Sequence, residues 1–313
     1  MSSRRLRISW RFQLVMASAL LLATCTPKGA VDPRANILLI MVDDLNTHLG
    51  CYGNEVVQTP HIDRLAAEGM LFERAYAQLA LCKPSRASML TGYRPDAIGI
   101  TGLGRGDFTS KRPGAKTLPQ VFREQGYFTA RIGKVFHMGV PDGLARCSSD
   151  QDEAYSWSES YDCMGYELNS NGYFYNATPW EEDRAGTGGA ISWLKAEKGD
   201  QIQHDYNAAT ATIDLLVDHK NEPFFIACGF IRPHVPLVAP KRYFDRYDLA
   251  EIVLPDSVPD DWEDIPAVAR TIFGANFHIT DEEHLRAIRA YYACVSFVDD
   301  QVGRLLDALD SLG

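Results

Sequence analysis

The sequence predicts an α/β sandwich around a central, mainly parallel sheet, and three observations carry that expectation. Asn36 to Val42 (NILLIMV) and Phe224 to Gly229 (FFIACG) are unbroken apolar runs without alternation. This is the pattern of strands covered on both faces. Segments with helical apolar spacing stand between such runs, as parallel strands require. The first run ends directly in Asp43-Asp44. Ligands in open α/β sheets gather at the carboxyl ends of strands, so two acids at that point mark a candidate site. With 313 residues and 46% hydrophobic content, the chain can bury a large core.

The elements follow in order. Ile62 to Glu68 reads as a helix stopped by Gly69, Met70 to Tyr76 as a short strand, and Ser85 to Leu90 as a helix closed by Gly92. Leu118 to Gln125 is a helix ended by Gly126, and strand Tyr127 to Ile132 follows it. Residues 142–187 are rich in Gly, Ser, Asp and Tyr without a period, which suits an insertion lining a cleft. Gln203 to His219 carries apolar residues at helical spacing, and 240–280 is irregular and Pro-rich. Asp281 to Leu312 is a long amphipathic helix with Gly313 where a C-terminal cap belongs. Asp299-Asp300 within it reads as a helix-surface or core-edge pair.

Composition narrows the partners. A net charge of −10 argues against nucleic acid or an anionic membrane surface. Residues 1–30 read as an export signal, with a positive start at Arg4, Arg5, Arg7 and Arg11 and an apolar run from Phe12 to Ala23 too short to span a bilayer. Leu22-Ala23-Thr24-Cys25 is close to a lipoprotein box, so lipid attachment at Cys25 and cleavage near Ala30 stand as alternatives. The expected location is periplasmic, outer-membrane lipoprotein or secreted, with no transmembrane helix after signal removal. Export permits disulfides, and Cys147 with Cys163 is the best pair; the two as free thiols is the alternative. Cys51, Cys228 and Cys294 sit in apolar contexts and read as core residues.

Chemistry concentrates at Cys82-Lys83-Pro84-Ser85-Arg86. One reading is a buried thiol at a helix start; the other is a nucleophile at a helix N-terminus, where free N–H groups favour an anion. Arg86 follows Cys82 by four residues and so shares its helix face. Gly126 to Lys134 (GYFTARIGK) precedes His137, and Lys134 and His137 would share a face if that turn were helical. Arg232-Pro233-His234-Val235-Pro236 is a rigid segment beyond an apolar strand.

The cysteine segment resembles the C-x-P-S-R maturation motif of type I sulfatases, in the alkaline-phosphatase-like superfamily, and GYFTARIGK is similar to that family's second signature. Met41 to Leu45 looks like its metal-binding strand end. Leu49 to Gly53, Thr59 to Asp63, Arg232 to Pro236 and Val295 to Asp299 are most similar to the iduronate-2-sulfatase branch. Lys83 departs from the pattern, since the family usually has a small residue there. The resemblance implies that Cys82 is oxidised to formylglycine by a formylglycine-generating or anaerobic sulfatase-maturating enzyme. One hydroxyl of its hydrate attacks sulfur, and the other loses a proton as sulfate is expelled. It further implies that Arg86 holds the diol or a sulfuryl oxygen, Lys134 binds sulfate, His137 takes the proton, and His234 contacts sulfate or protonates the leaving oxygen. Asp43, Asp44 and modified Cys82 would hold one Ca²⁺.

The implied activity is hydrolysis of a sulfate ester on a sulfated saccharide, as in glycosaminoglycan or other sulfated polysaccharide degradation. Calcium takes about six to eight oxygens, more than these residues supply, and the family's later Asp-His or Asp-Asn strand is absent. The expectation is therefore a partial catalytic domain over residues 31–313. Two alternatives remain: a phosphate or phosphonate ester hydrolase of the same superfamily, and a truncated, non-catalytic sulfatase-like protein.

Overall fold

The computed structural model describes residues 34–104, 112–140, 155–162, 165, 171–176, 191–256, 263–269 and 279–313. The expected export signal, Cys25, and the Cys147 and Cys163 pair lie outside the described residues. Ala35–Gly313 forms one compact unit.

The main sheet holds β1 (Ile37–Val42), β2 (Phe128–Gly133), β3 (Glu159–Tyr161) and a long strand, Phe224–Phe230. A second sheet holds β4 (Gly172–Asn176), β5 (Ser192–Ala196) and Leu237–Pro240. In chain order the last two named strands are β6 (Phe224–Phe230) and β7 (Leu237–Pro240). The main sheet runs β1-β6-β2-β3, and every pairing in it is parallel. The second runs β4-β5-β7, antiparallel between β4 and β5 and parallel between β5 and β7. The expected α/β sandwich is thus the fold observed.

Five helices matter to the site: α1 (Pro60–Glu68), α2 (Cys82–Thr91), α3 (Leu118–Glu124), α4 (His204–His219) and α5 (Asp281–Leu312). The unbroken apolar run of β6 now has its cause. Phe224, Ile226, Cys228 and Phe230 pack with Leu215 and Leu216 of α4 and with Val298, Val302 and Leu305 of α5. Phe225 and Ala227 point the other way, against Leu90 of α2, Met41 and Phe136. Each such side chain, fully buried, contributes about 1.5–3 kcal/mol before the entropy of ordering it. The long helix serves both sheets, because Ala290, Ala293, Cys294 and Phe297 pack instead on Trp193, Leu237, Tyr243 and Phe244. A capping box between Thr280 and Glu283 starts it, satisfying amide donors that no preceding turn can reach.

Three differences from the sequence reading are physical in origin. Met70 to Tyr76 is not a strand; it has no ladder partner, and residues 67–80 are all exposed. An extended segment becomes a strand only where a neighbour takes its backbone hydrogen bonds, and local pattern cannot report that. Strands β3 and β4 lie inside the 142–187 stretch read as irregular, and β5 and β7 were also missed; all are five residues or fewer. Asp299 is no surface group. It is wholly buried, and its carboxylate accepts from the amides of His61 (3.2 Å) and Ile62 (2.8 Å), capping α1 from a distant helix.

Candidate functional site

Three neighbouring parallel strands deliver their carboxyl ends to one place, and each end carries a functional side chain. At the end of β1 the amide of Asp43 donates to Phe230 O (3.2 Å), so the ladder holds Asp43 in place as its side chain turns inward. Asp44 adopts the left-handed conformation, φ 58°. That conformation costs a non-glycine residue about 1 kcal/mol or more. It is secured by the Tyr291 hydroxyl, which donates to Asp44 O (2.8 Å) and accepts from Asn46 N (2.9 Å). The reversal separates the two acids: the Asp43 side chain is 4% exposed and the Asp44 side chain 53%.

At the end of β2, the backbone of Lys134 donates to Gly229 O (2.9 Å). Strands β2 and β6 close to backbone contact here. A Cβ on Gly229 would lie 2.1 Å from Lys134 O, and one on Gly133 2.3 Å from Gly229 O. The approach sends the fully buried Lys134 ammonium onto Asp43 Oδ2 as an ion pair. The segment after Lys134 is a turn rather than a helix, so the helical route for bringing Lys134 and His137 together does not apply. The turn still delivers His137, whose Nδ1 lies 3.4 Å from Cys82 Sγ.

Cys82 is the first residue of α2, entered from extended Leu81. Arg86, one turn on, is buried at 5% exposure. It donates to Asp43 Oδ1 (2.7 Å), to Val135 O (2.9 Å) and to Lys134 O. The guanidinium therefore ties α2 to the ends of β1 and β2, a use of its forked donors that spacing along α2 did not disclose. Lys83 turns away from the site; it is buried, and its ammonium donates to Gly104 O.

His234 follows β6 between two cis peptides, Arg232-Pro233 and Val235-Pro236. Its Nδ1 contacts Val235 O at 2.6 Å, and Nε2 lies 4.0 Å from Asp43 Oδ2 and 3.8 Å from Asp44 Oδ2. Asp205, which the sequence reading did not single out, and Arg232, named there only as part of the rigid segment, hold this segment. Asp205, in the first turn of α4, accepts from the amides of Ile231 (2.8 Å) and Arg232 (2.9 Å). Arg232 donates to His234 O (2.8 Å) and Pro236 O (2.7 Å). An acid in a helix's first turn was the one legible hint, and it points as readily to an ordinary dipole contact.

Electrostatics sharpen the division of roles. Burial pushes the Asp43 carboxyl up, but Arg86, Lys134 and His234 overcome it and hold the pKa at about 2. Asp43 is thus a fixed anion. Burial raises the Cys82 thiol, Asp43 adds to that, and Lys134 and Arg86 oppose it. A thiol held protonated is a poor nucleophile as it stands. Burial lowers His234 and Lys134 lowers it further, against the pull of Asp43 and Asp44.

The donor set suits a hard cation in part. Asp43 and Asp44 face a shared space beside His234, and carboxylate oxygens match Ca²⁺ or a similar ion. They supply only part of a calcium shell, and Arg86 and Lys134 already engage Asp43. A second grouping could also hold a divalent ion: ligand atoms of His61, Asp299 and Asp300 lie within 4.8 Å of one another. Its carboxylates are committed elsewhere, Asp299 to the α1 amides and Asp300 to Tyr243 (2.8 Å) and Arg246 (3.1 Å). The sequence offers no spacing that joins His61 to the pair Asp299-Asp300, which lies more than two hundred residues away.

Fold and strand-end cluster together place the chain in the alkaline-phosphatase-like α/β class. A family profile described as Sulfatase matches residues 35–313, and the chain belongs to that family. It is 34% identical to human iduronate 2-sulfatase over 328 residues, covering 97% of this chain and 56% of that protein. It is also 34% identical over 290 residues to a sulfatase of Formosa agariphila, covering 88% and 55% respectively. The chain spans about half the length of the curated relatives it matches. A phosphonate monoester hydrolase of Agrobacterium radiobacter shares the fold with a TM-score of 0.64 at 19% identity, over 90% of this chain and 60% of that one. No helix among the described residues is long and apolar enough to cross a membrane.

Proposed function

We propose that residues 31–313 belong to the catalytic domain of an exported sulfuric ester hydrolase, iduronate-2-sulfatase-like, that removes sulfate from a sulfated saccharide. The supporting observation is the convergence of Asp43, Lys134 and His234 at adjacent strand ends with Cys82 at the start of α2 and His137 in the turn after β2. Formylglycine made from Cys82 by a maturation enzyme would supply the oxygen nucleophile that the protonated thiol does not. A calcium ion held by Asp43, Asp44 and modified Cys82 would supply Lewis-acid support.

The remaining work falls to side chains. His137, in contact with position 82, is placed to take a proton there. Lys134 offers a buried cation to a sulfuryl oxygen, and Arg86 fixes the carboxylate and strand ends around it. His234, whose Nε2 lies 3.8 Å from Asp44 and 4.0 Å from Asp43, would contact sulfate or protonate the leaving oxygen.

Two measurements test this. Mass spectrometry of the Cys82 peptide from the exported protein should show conversion of the thiol to a carbonyl. Wild-type protein should hydrolyse p-nitrophenyl sulfate, and Cys82→Ala should not. Hydrolysis by Cys82→Ala at the wild-type rate would end the assignment. The second reading, a phosphonate or phosphate ester hydrolase, draws on the fold shared with phosphonate monoester hydrolases. Faster turnover of phenyl phosphonate esters than of sulfate esters would favour it.

A further inference from the structure

We propose that a hollow between β5, the Lys241–Phe244 turn and the early turns of α5 binds an anionic saccharide segment, outside the strand-end cluster. It encloses about 370 Å³. Its floor is aromatic, from Trp193 and Phe244, each 3% exposed. Lys195, Lys241, Arg286 and Arg289 also line it, against a single lining carboxylate among the described residues, Glu197. In a chain of net charge −10 such a concentration of cations is a local feature, not a reflection of composition.

The bracing of these cations indicates how much charge is left for a ligand. Lys195 (3.0 Å) and Lys241 share one carboxylate, Asp245. Arg286 pairs with Glu282 at 2.6 Å. Arg289 differs: Nε and Nη2 donate to Phe244 O (3.1 and 3.0 Å), a neutral acceptor that orients the guanidinium without cancelling its charge. A guanidinium oriented by a neutral acceptor, with no carboxylate partner among the described residues, suits forked recognition of a sulfate or carboxylate. The aromatic lining, in which Tyr173 is 58% exposed, suits the apolar C–H face of a pyranose ring. The two together select a sulfated or uronate-bearing sugar over a simple inorganic anion.

Position supports the same occupant. Lys241 follows His234 by seven residues, so the hollow lies at most roughly 25 Å from the strand-end cluster. An oligosaccharide is long enough to span that distance. The ligand class rests on the sulfatase reading; the site itself rests on the hollow.

The test is isothermal titration of the whole chain with a heparin tetrasaccharide, its desulfated counterpart and sodium sulfate. The sulfated tetrasaccharide should bind, and the two controls should bind far more weakly. Arg289→Met with Lys195→Met should weaken binding by about tenfold or more, the worth of one or two charge-assisted hydrogen bonds. The single exposed variant Lys241→Met, which carries little folding risk, should weaken it in the same direction. These variants should leave p-nitrophenyl sulfate turnover unchanged. Equal binding by wild type and the double variant, or equal binding of the desulfated sugar, overturns the proposal. Absence of aryl sulfate turnover alongside intact, variant-sensitive binding would instead remove the hydrolase reading and keep the subsite.

Discussion

Cys82 stands between two unlike regions. On one side are the ends of β1, β2 and β6, where Asp43, Lys134, Arg86 and Asp205 are all buried and each is held by partners in neighbouring strands or helices. On the other is the approach from α1, residues 67–80, which runs entirely in the open with Met70, Phe72 and Tyr76 at 79%, 64% and 81% exposure. Both carry large or charged side chains, but only the first buries them. The contrast shows that the candidate site is fixed by strand ends and the start of α2, with little contribution from the segment leading into the cysteine.

The largest expected effect is at Asp43. Asp43→Asn leaves two buried cations without their anion and should cost about 3 kcal/mol in urea unfolding. The effect should depend on pH in a defined direction. The folded pKa of about 2 lies below the unfolded value of roughly 3.9, so the ionised group stabilises the fold above pH 4. That contribution is lost as pH falls toward 2, and the wild-type and variant curves should converge there. A gap that persists undiminished at pH 2 would show that the ion pairs are not its source.

Asp205→Asn comes next. An amide side chain has a single oxygen, so one of the buried amides of Ile231 and Arg232 would lose its acceptor, at about 2 kcal/mol. Unchanged stability would mean that the His234 segment holds itself. Asp299→Asn should cost about 1 kcal/mol by weakening the cap on α1. Here the pH trend is reversed. Burial pushes Asp299 up to about 6, against the opposing α1 amides, so wild type should lose stability as pH rises from 4 through 6, and the variant should lack that slope. The smallest effect is expected in the exposed approach: Phe72→Ser and Tyr76→Ser should stay within about 0.5 kcal/mol of wild type. Hydrogen exchange should be fast across 70–80 and slow across Ile37–Val42. Slow exchange across 70–80 would erase the contrast between the two regions.

Much of the fold was legible because long apolar runs have few structural meanings. The strands β1 and β6 and the helix Asp281–Leu312 emerged with bounds close to those read from pattern. β5 and β7 did not, since SWLKA and LVAP are short and lie beside charged residues or Pro. The candidate site residues were found through motifs and the family resemblance they carry, and the structure brings Asp43, Cys82, Arg86, Lys134, His137 and His234 together. Their partnerships were a different matter. Nothing in the spacing of Arg86 says that it grips Asp43, and nothing near Asp43-Asp44 announces two cations more than forty residues away. Such pairings exist only once the sheet order is known.

The pinch between Gly133 and Gly229 has a consequence for how this chain can vary. Backbone meets backbone there, and Lys134 reaches Asp43 from that crossing. Two of the positions on which the charged cluster depends are therefore specified by atoms that must not be there. A search for acids, bases and nucleophiles would pass over both. Yet a single added methyl at either would wedge β2 from β6 and move a buried cation off its anion, making these silent positions as intolerant of drift as the reactive ones.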